Sequence, residues 1–507
     1  MVSLPSRDAS QPVAVAPAAV SAEWRRLLPS WPLWLGLAGF VRLMAQPGAL
    51  LNDPDTYLHL AAGNWMIAHA ALVRADPFSF TLAGAPWLAG EWLAELILTG
   101  LYRLGGWTGL VIITAACFAV SLGMLGHFLV RRVGTLPALI AALIGAALVM
   151  PHVVARAHVL AMPLLVWWSG ALFAARDEGS GPPWRLLPLV ALWANLHASV
   201  LFGVALTGWL GIEAVAAATP AGRQAELRRW GGFAVAAAGM ALLTPHPVGT
   251  LLQPFRLMAM PALQASFGEW QPPVVAHFPA LELWLLGALG LGFMLEVRLH
   301  WTRLVLLLAL VHLSLSHVRH ADLLGLVGPL VIAGGVGAAL DRHRATLSGL
   351  AVWRGMARFA GPITAPGLAV TTALAIVAAL PLIIAPLTRT NDRVTPRAAV
   401  AAAREAGVGG PVFNSEAFGG YLDFVGVPSF IDGRAELFGN GFVADDVAAE
   451  RGDAAALTRL LARYRIGWAL LVPQAGAVAV FDRLPGWRQV YADRFAVVFA
   501  RGQATPR

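Results

Sequence analysis

The chain has 507 residues, 58% of them hydrophobic and only 13% charged, and its mean hydropathy of +0.67 lies far above that of soluble globular proteins. This excludes a water-soluble enzyme and marks a polytopic membrane protein. The formal charge of +8 is carried by arginine, since lysine is absent; the arginines cluster between apolar runs, which reports topology and not nucleic-acid binding.

Residues 1–30 are polar, rich in alanine and proline, and carry Arg25 and Arg26 just ahead of the first apolar run. They read as a cytoplasmic tail followed by a retained first helix, without a cleavage signal. Crossing a bilayer takes roughly 20 apolar residues. About eleven candidate spans are expected, near residues 31–49, 107–130, 135–151, 158–175, 185–199, 201–217, 230–245, 280–297, 301–316, 321–340 and 364–387. If they alternate, Arg25, Arg26, Arg131, Arg132, Arg176, Arg185, Arg223, Arg228, Arg229, Arg298, Arg303, Arg342, Arg344, Arg354 and Arg358 all fall on one side, which should be cytoplasmic. The expected organisation is a polytopic α-helical membrane domain over 31–388 and a small soluble α/β domain over 389–507 on the outer face. The single Cys117 allows neither an intramolecular disulfide nor a thiolate metal site.

The stretch NDPDTYLHLAAGNW, residues 52–65, opens the first outer loop (50–106) and sets Asp53 and Asp55 around a proline. The proline favours an extended turn before a helix starting near Thr56, and two carboxylates so close repel unless a cation or a shared proton lies between them. The plainer reading has Asp55 capping the helix and Asp53 in solvent. Helical spacing of Tyr57, Leu60, Ala61, Trp65 and Ile67, resumed in EWLAELILTGLYRL, predicts two interfacial helices in this loop. After residue 391 charge density rises and the apolar runs shorten to strand length, in PVFN, PSFID, WALLVP and FAVVFA, with a helix over 453–464 between them.

Polar residues are costly within a bilayer, so their placement carries functional information. Arg156, His158, Asn195, His197, His246, Glu269, Trp270, Arg319, His320 and Asp322 all map to the predicted outer ends of spans, on the face bearing Asp53 and Asp55. They predict one outward-facing polar cavity. Interhelical hydrogen bonding is the simpler role for Asn195 and His197, and headgroup contact that for Arg156 and Arg319. A guanidinium on the outer side is also suited to a lipid phosphate. No Walker loop, GxSxG, HExxH or dinucleotide fingerprint occurs.

The motifs NDPDTYLH, PWLAGEWLAE, WANLH, EWQPP and GGYLDFVGVPSFIDGRAELFG, with many spans and a soluble C-terminal domain, resemble the GT-C superfamily of membrane glycosyltransferases, and more closely a bacterial group related to it. The resemblance implies transfer of a sugar from a polyprenyl-phosphate-linked donor to a lipid, glycan or protein acceptor at the outer face of a bacterial cytoplasmic membrane. It implies for Asp53 and Asp55 the role of base or metal ligand. No WWD-type acceptor motif of the oligosaccharyltransferases is present. A lipid-linked-sugar flippase, for which internal repeats are not evident, and a non-catalytic envelope assembly protein are the alternatives.

Within that expectation Asp53 or Asp55 takes the acceptor proton or holds a divalent cation, Mg²⁺ or Mn²⁺ by carboxylate chemistry, with Zn²⁺ a lesser fit through histidine. His59, four residues after Asp55, shares its helix face as a further ligand or relay. Glu91 and Glu95 share a face of the next helix, with Glu91 entering the site. Arg156 and Arg319 are expected on the donor phosphate. His158, Asn195, His197, Glu269 and His320 complete the substrate-binding set. In the terminal domain Asn414, Glu416, Tyr421, Asp432 and Arg434 are expected to roof the cavity on the acceptor side, although Asp432 and Arg434 equally suit a structural pair at the Asp-Gly turn.

Overall fold

In the computed structural model, residues 29–344, 347, 351–357 and 361–502 are described. The expected tail over 1–30, apart from its last two residues, lies outside this range together with Arg25, Arg26 and Arg358, as does the side chain of Arg354. Among the described residues six helices are long and apolar enough to cross a membrane, namely Trp92–Val133, Thr135–His152, Ala157–Asp177, Val200–Ala217, Val318–Arg342 and Ala365–Ile384. Shorter apolar helices cover Trp31–Met44, Pro279–Met294 and Trp301–Ser316. The remaining candidates fall on the helices Leu187–Leu196 and Arg223–Ala241, of which the first is too short and the second opens on a charged turn.

Residues 50–106, expected as the first outer loop, form two helices, the second continuous with a helix long and apolar enough to cross a membrane. The helix from Trp92 runs to Val133, broken at Gly106, which has φ 57° and ψ −147°. A residue with a side chain is strained in that conformation, so the glycine is where the segment turns from loop helix to span. Small residues also set the packing of the bundle. Gly145 and Gly325 face each other so closely that a Cβ on either would strike the other's carbonyl oxygen, the close approach typical of helices that lack a hydrophobic drive to associate.

The helices carry a polar network at each end. At one end Arg132 Nε lies 2.8 Å from Asp177 Oδ2, Arg303 Nε 2.6 Å from Glu213 Oε2 and Arg303 Nη2 3.0 Å from Asp177 Oδ1. Arg342 Nη2 donates to the Glu296 carbonyl at 2.9 Å. These arginines are among those expected on the cytoplasmic side. The opposite ends carry Asp55, Glu91, Arg156, Asn195 and Arg319, and the terminal domain packs there.

That domain holds a four-stranded sheet of order β1-β2-β4-β3, built from β1 (Val412–Asn414), β2 (Trp468–Leu471), β3 (Trp487–Ala492) and β4 (Val497–Arg501). β1 and β2 are parallel, and the other pairings are antiparallel. The expected helix is Ala454–Arg463, its first amides held by the Asp453 carboxylate. Two strand assignments differ from the sequence pattern. β3 was not anticipated, because its residues are only half-buried and do not form an apolar run. PSFID is not a strand; beyond a single bridge from Ser429 to Ser79, its backbone is met by side chains: Asn414 Oδ1 accepts from Phe430 N and its Nδ2 donates to the Ile431 carbonyl, and Thr81 Oγ1 donates to the Phe430 carbonyl, all at 2.8 Å. A fully buried side chain thus does the work of a neighbouring strand.

Candidate functional site

Pro54 has φ −64° and precedes the helix Asp55–His69, its fixed ring suited to the entry of a helix. Asp53 folds back so that its Oδ1 accepts the Asp55 amide at 2.9 Å. Capping at this turn is thus made by Asp53, the reverse of the plainer expectation, and both carboxylates turn toward Arg156, the residue preceding the helix Ala157–Asp177. Arg156 Nη2 is 2.5 Å from Asp55 Oδ2, and Nη1 is 3.4 Å from Asp53 Oδ2 and 3.3 Å from Glu269 Oε2. Glu269 Oε1 continues to Arg319 Nη1 at 3.0 Å, and the Arg319 guanidinium lies 4.4 Å from the centre of the Trp270 ring. Residues from four distant stretches thus meet in one line of alternating charge.

A second branch runs along the face of Asp55–His69. His59 Nε2 is 3.8 Å from Glu91 Oε2 and His59 Nδ1 is 3.8 Å from Glu95 Oε1, while Glu91 Oε1 is 3.4 Å from His197 Nε2. Both ring nitrogens of His59 are buried without a hydrogen-bond partner. Burial opposes protonation of His59, but the flanking carboxylates of Glu95 and Glu91 outweigh it and hold its pKa above the usual value.

Burial pushes the Asp55 carboxyl up to about 7, with Asp53 adding to the rise and Arg156 opposing it. Burial also raises Glu91, against the pull of His59. Glu269 goes the other way: burial would raise it, but Arg156 and Arg319 together hold it below the usual carboxylate range. One site therefore contains an acid poised near neutrality beside an acid held ionised.

Other expected residues are tied more locally. His158 Nε2 pairs with the His152 carbonyl at 2.9 Å, and His320 Nδ1 contacts the Leu313 carbonyl at 3.4 Å. Asn195 joins helices, accepting from Trp92 Nε1 at 2.9 Å and donating to the Leu243 carbonyl at 2.8 Å. In the terminal domain Glu416 comes close enough to the acid turn that Asp55 and Asp53 add to the rise that burial imposes on it. Asn414 supports the PSFID segment, and Tyr421 is buried edge-on against Tyr57, with ring centres 5.2 Å apart. Asp432 and Arg434 are 1% and 2% exposed; Arg434 grips Asp432 and extends Nη1 to Asp76 Oδ1 at 2.7 Å. Its guanidinium lies between the rings of Phe78 and Trp87. Tyr421 and the Asp432–Arg434 pair therefore tie the terminal segment to residues 50–106.

Three contributors were not singled out by sequence reasoning. Asp76 is one, signalled only by a second Asp-Pro in the first outer loop. Arg389 is another: its Nη1 donates to the Leu51 carbonyl at 2.6 Å and its guanidinium faces Tyr57 and Trp107. The third is Gly433, inside FIDGRAE. A Cβ there would strike the Asp55 carboxylate, and one on Gly420 would strike the Pro54 carbonyl. Glycine at both positions lets the terminal domain close directly onto the acid turn.

The expected metal ligands are not arranged as a set. Asp53 and Asp55 are turned to the Arg156 guanidinium and His59 to Glu91 and Glu95; among the described residues no group of three or more His, Cys, Asp or Glu side chains is placed to hold a metal ion. The side chains as they stand do not fit the divalent ion expected from the resemblance, because the Arg156 guanidinium takes one oxygen of each aspartate and the Asp55 amide takes the second oxygen of Asp53.

No family model and no curated protein matches the chain. Among solved structures it is similar to the oligosaccharyltransferase of Archaeoglobus fulgidus, in the apo form with TM-score 0.51 and 11% identity over 94% of this chain and 74% of that one. The same enzyme tethered to an acceptor peptide aligns with TM-score 0.50 and 12% identity over 92% and 74%. ArnT of Cupriavidus metallidurans in the apo state aligns with TM-score 0.49 and 15% identity over 95% and 98%. The likeness to the archaeal oligosaccharyltransferase shows the fold alone, and that fold agrees with the GT-C resemblance of the motifs.

Proposed function

We propose that the chain is a membrane glycosyltransferase that moves a sugar from a polyprenyl-phosphate donor to an acceptor hydroxyl at the outer face of the cytoplasmic membrane, with its C-terminal domain on that face and about eleven spans beneath it. The observation that carries this reading is the convergence of Asp55, poised near neutrality, with Arg156, Glu269 and Arg319 at one end of the helices. The fold and the tethered acceptor peptide of the archaeal oligosaccharyltransferase support the class of reaction.

Asp55 acts as general base: its carboxylate accepts the acceptor's hydroxyl proton as that oxygen attacks the anomeric carbon. The bond from that carbon to the phosphate oxygen breaks, and its electron pair leaves with the polyprenyl phosphate. Arg319 suits the leaving phosphate, since among the described residues its only hydrogen bond is from Nη1 to Glu269. Asp53 orients Asp55 by accepting the Asp55 amide, and Glu269 bridges the two arginines. The test is release of polyprenyl phosphate from a lipid-linked sugar by the protein in nanodiscs. Release by the native chain and none by Asp55→Asn, with lipid binding retained, supports the reading. Sugar movement across vesicles without release would replace it with a flippase.

A further inference from the structure

The charge balance of the acid turn goes beyond the proposed reaction, although its meaning for catalysis rests on that reading. Asp53, Asp55 and Glu269 come from two separate outer segments, yet all three aim at one guanidinium. Both terminal nitrogens of Arg156 are used, Nη2 by Asp55 and Nη1 shared between Asp53 and Glu269. The second oxygen of Asp53 is taken by the Asp55 amide, and that of Glu269 by Arg319. The Asp55 and Arg156 side chains retain only 15% and 24% of their exposure, so this is a partly enclosed cluster and not a solvated surface pair.

A bridging divalent ion binds carboxylate oxygens at about 2.0 to 2.6 Å. Here Oδ2 of each aspartate and Oε2 of Glu269 already have a cationic partner from the chain itself, and an added ion would lie beside a fixed positive charge. We propose that Arg156 takes the place of a divalent cation in this site: it neutralises the acidic turn, holds Asp55 in position, and makes binding of the lipid phosphate independent of metal. Arg156 is a positioning residue, and Arg319 meets the phosphate.

The experiment is titration of the full chain in nanodiscs with Mn²⁺, following free Mn²⁺ by electron paramagnetic resonance, with polyprenyl-phosphate binding measured in chelator on the same preparations. The native chain should withdraw no Mn²⁺. Arg156→Ala, which removes the guanidinium shared by the three acids and leaves both aspartates without it, should bind one equivalent, and adding Asp53→Asn should abolish it. Arg156→Lys keeps the charge and should stay silent, a control that does not depend on the folding of the alanine variant. Mn²⁺ bound by the native chain and lost in Asp55→Asn overturns the proposal, as does an Arg156→Ala variant that folds and stays silent. If the Mn²⁺ pattern holds but polyprenyl phosphate fails to bind the native chain, the transferase reading falls while the assignment of Arg156 stands.

Discussion

Two clusters in this molecule each set two aspartates on one arginine, the second adding Glu269, and they differ in their surroundings. Asp76, Asp432 and Arg434 are all within 3% of full burial, with aromatic rings on the guanidinium and an Asp76 that also takes the Phe78 amide and the Ser79 hydroxyl. Asp53, Asp55 and Arg156 are only partly enclosed, and their line of charge continues through Glu269 to Arg319. A fully satisfied buried triad has nothing left to offer a ligand, and breaking it leaves uncompensated charge. The partly enclosed cluster ends on the Arg319 guanidinium, which among the described residues makes one hydrogen bond, and contains an acid near neutrality. Environment, and not residue type, separates the brace from the site.

Substitutions at the two arginine clusters should therefore fail differently. Asp55→Asn should lower transfer by about 10²–10⁴-fold, the usual worth of a general base, with the melting temperature nearly unchanged; a large loss of stability and a small loss of turnover would reverse the comparison. Arg434→Ala should cost about 3–5 kcal/mol of stability by stranding two buried carboxylates, read as a lower thermal midpoint in detergent, with activity falling only in step with folded protein.

The pH profile sharpens the assignment further. The base must be deprotonated, so with Asp55 near 7 transfer should fall roughly tenfold per pH unit below that value and level off above it. A profile flat down to about pH 5, within the range of an unperturbed carboxylate, would move the base elsewhere. The smallest effect expected is at the contact between the two regions: Gly433→Ala places a methyl against the Asp55 carboxylate and should slow turnover on the order of tenfold by displacing the base, with lipid binding intact.

The residues of the acid turn were legible in the sequence because Asp-Pro-Asp after a first span is a local pattern, and Arg156, Glu269 and Arg319 because charge at an outer span end is conspicuous against apolar sequence. Their pairing was not legible. Nothing local indicates that Arg156 faces both aspartates, a separation of 103 residues from Asp53, and so the acids read equally as a base or as metal ligands. The same limit applied to FIDGRAE, where Asp432 and Arg434 suited either a turn pair or an acceptor contact, and Asp76, 358 residues from Arg434, decided for a brace. PSFID read as a strand because its composition is that of one, while the Asn414 side chain that satisfies its backbone acts from 16 residues away in the chain.

By itself the sequence determined what depends on local pattern: a membrane protein with apolar helices, arginine at one set of ends, an acidic turn after the first span and a small terminal α/β domain. Hydropathy and turn chemistry act over a few residues, so they can be read along the chain. Only the tertiary structure decided which carboxylate meets which guanidinium, and which cluster is sealed. Those outcomes depend on burial and on distances between segments far apart in sequence, and a charged group acquires its protonation state and its role from neighbours that the fold, not the local sequence, brings to it.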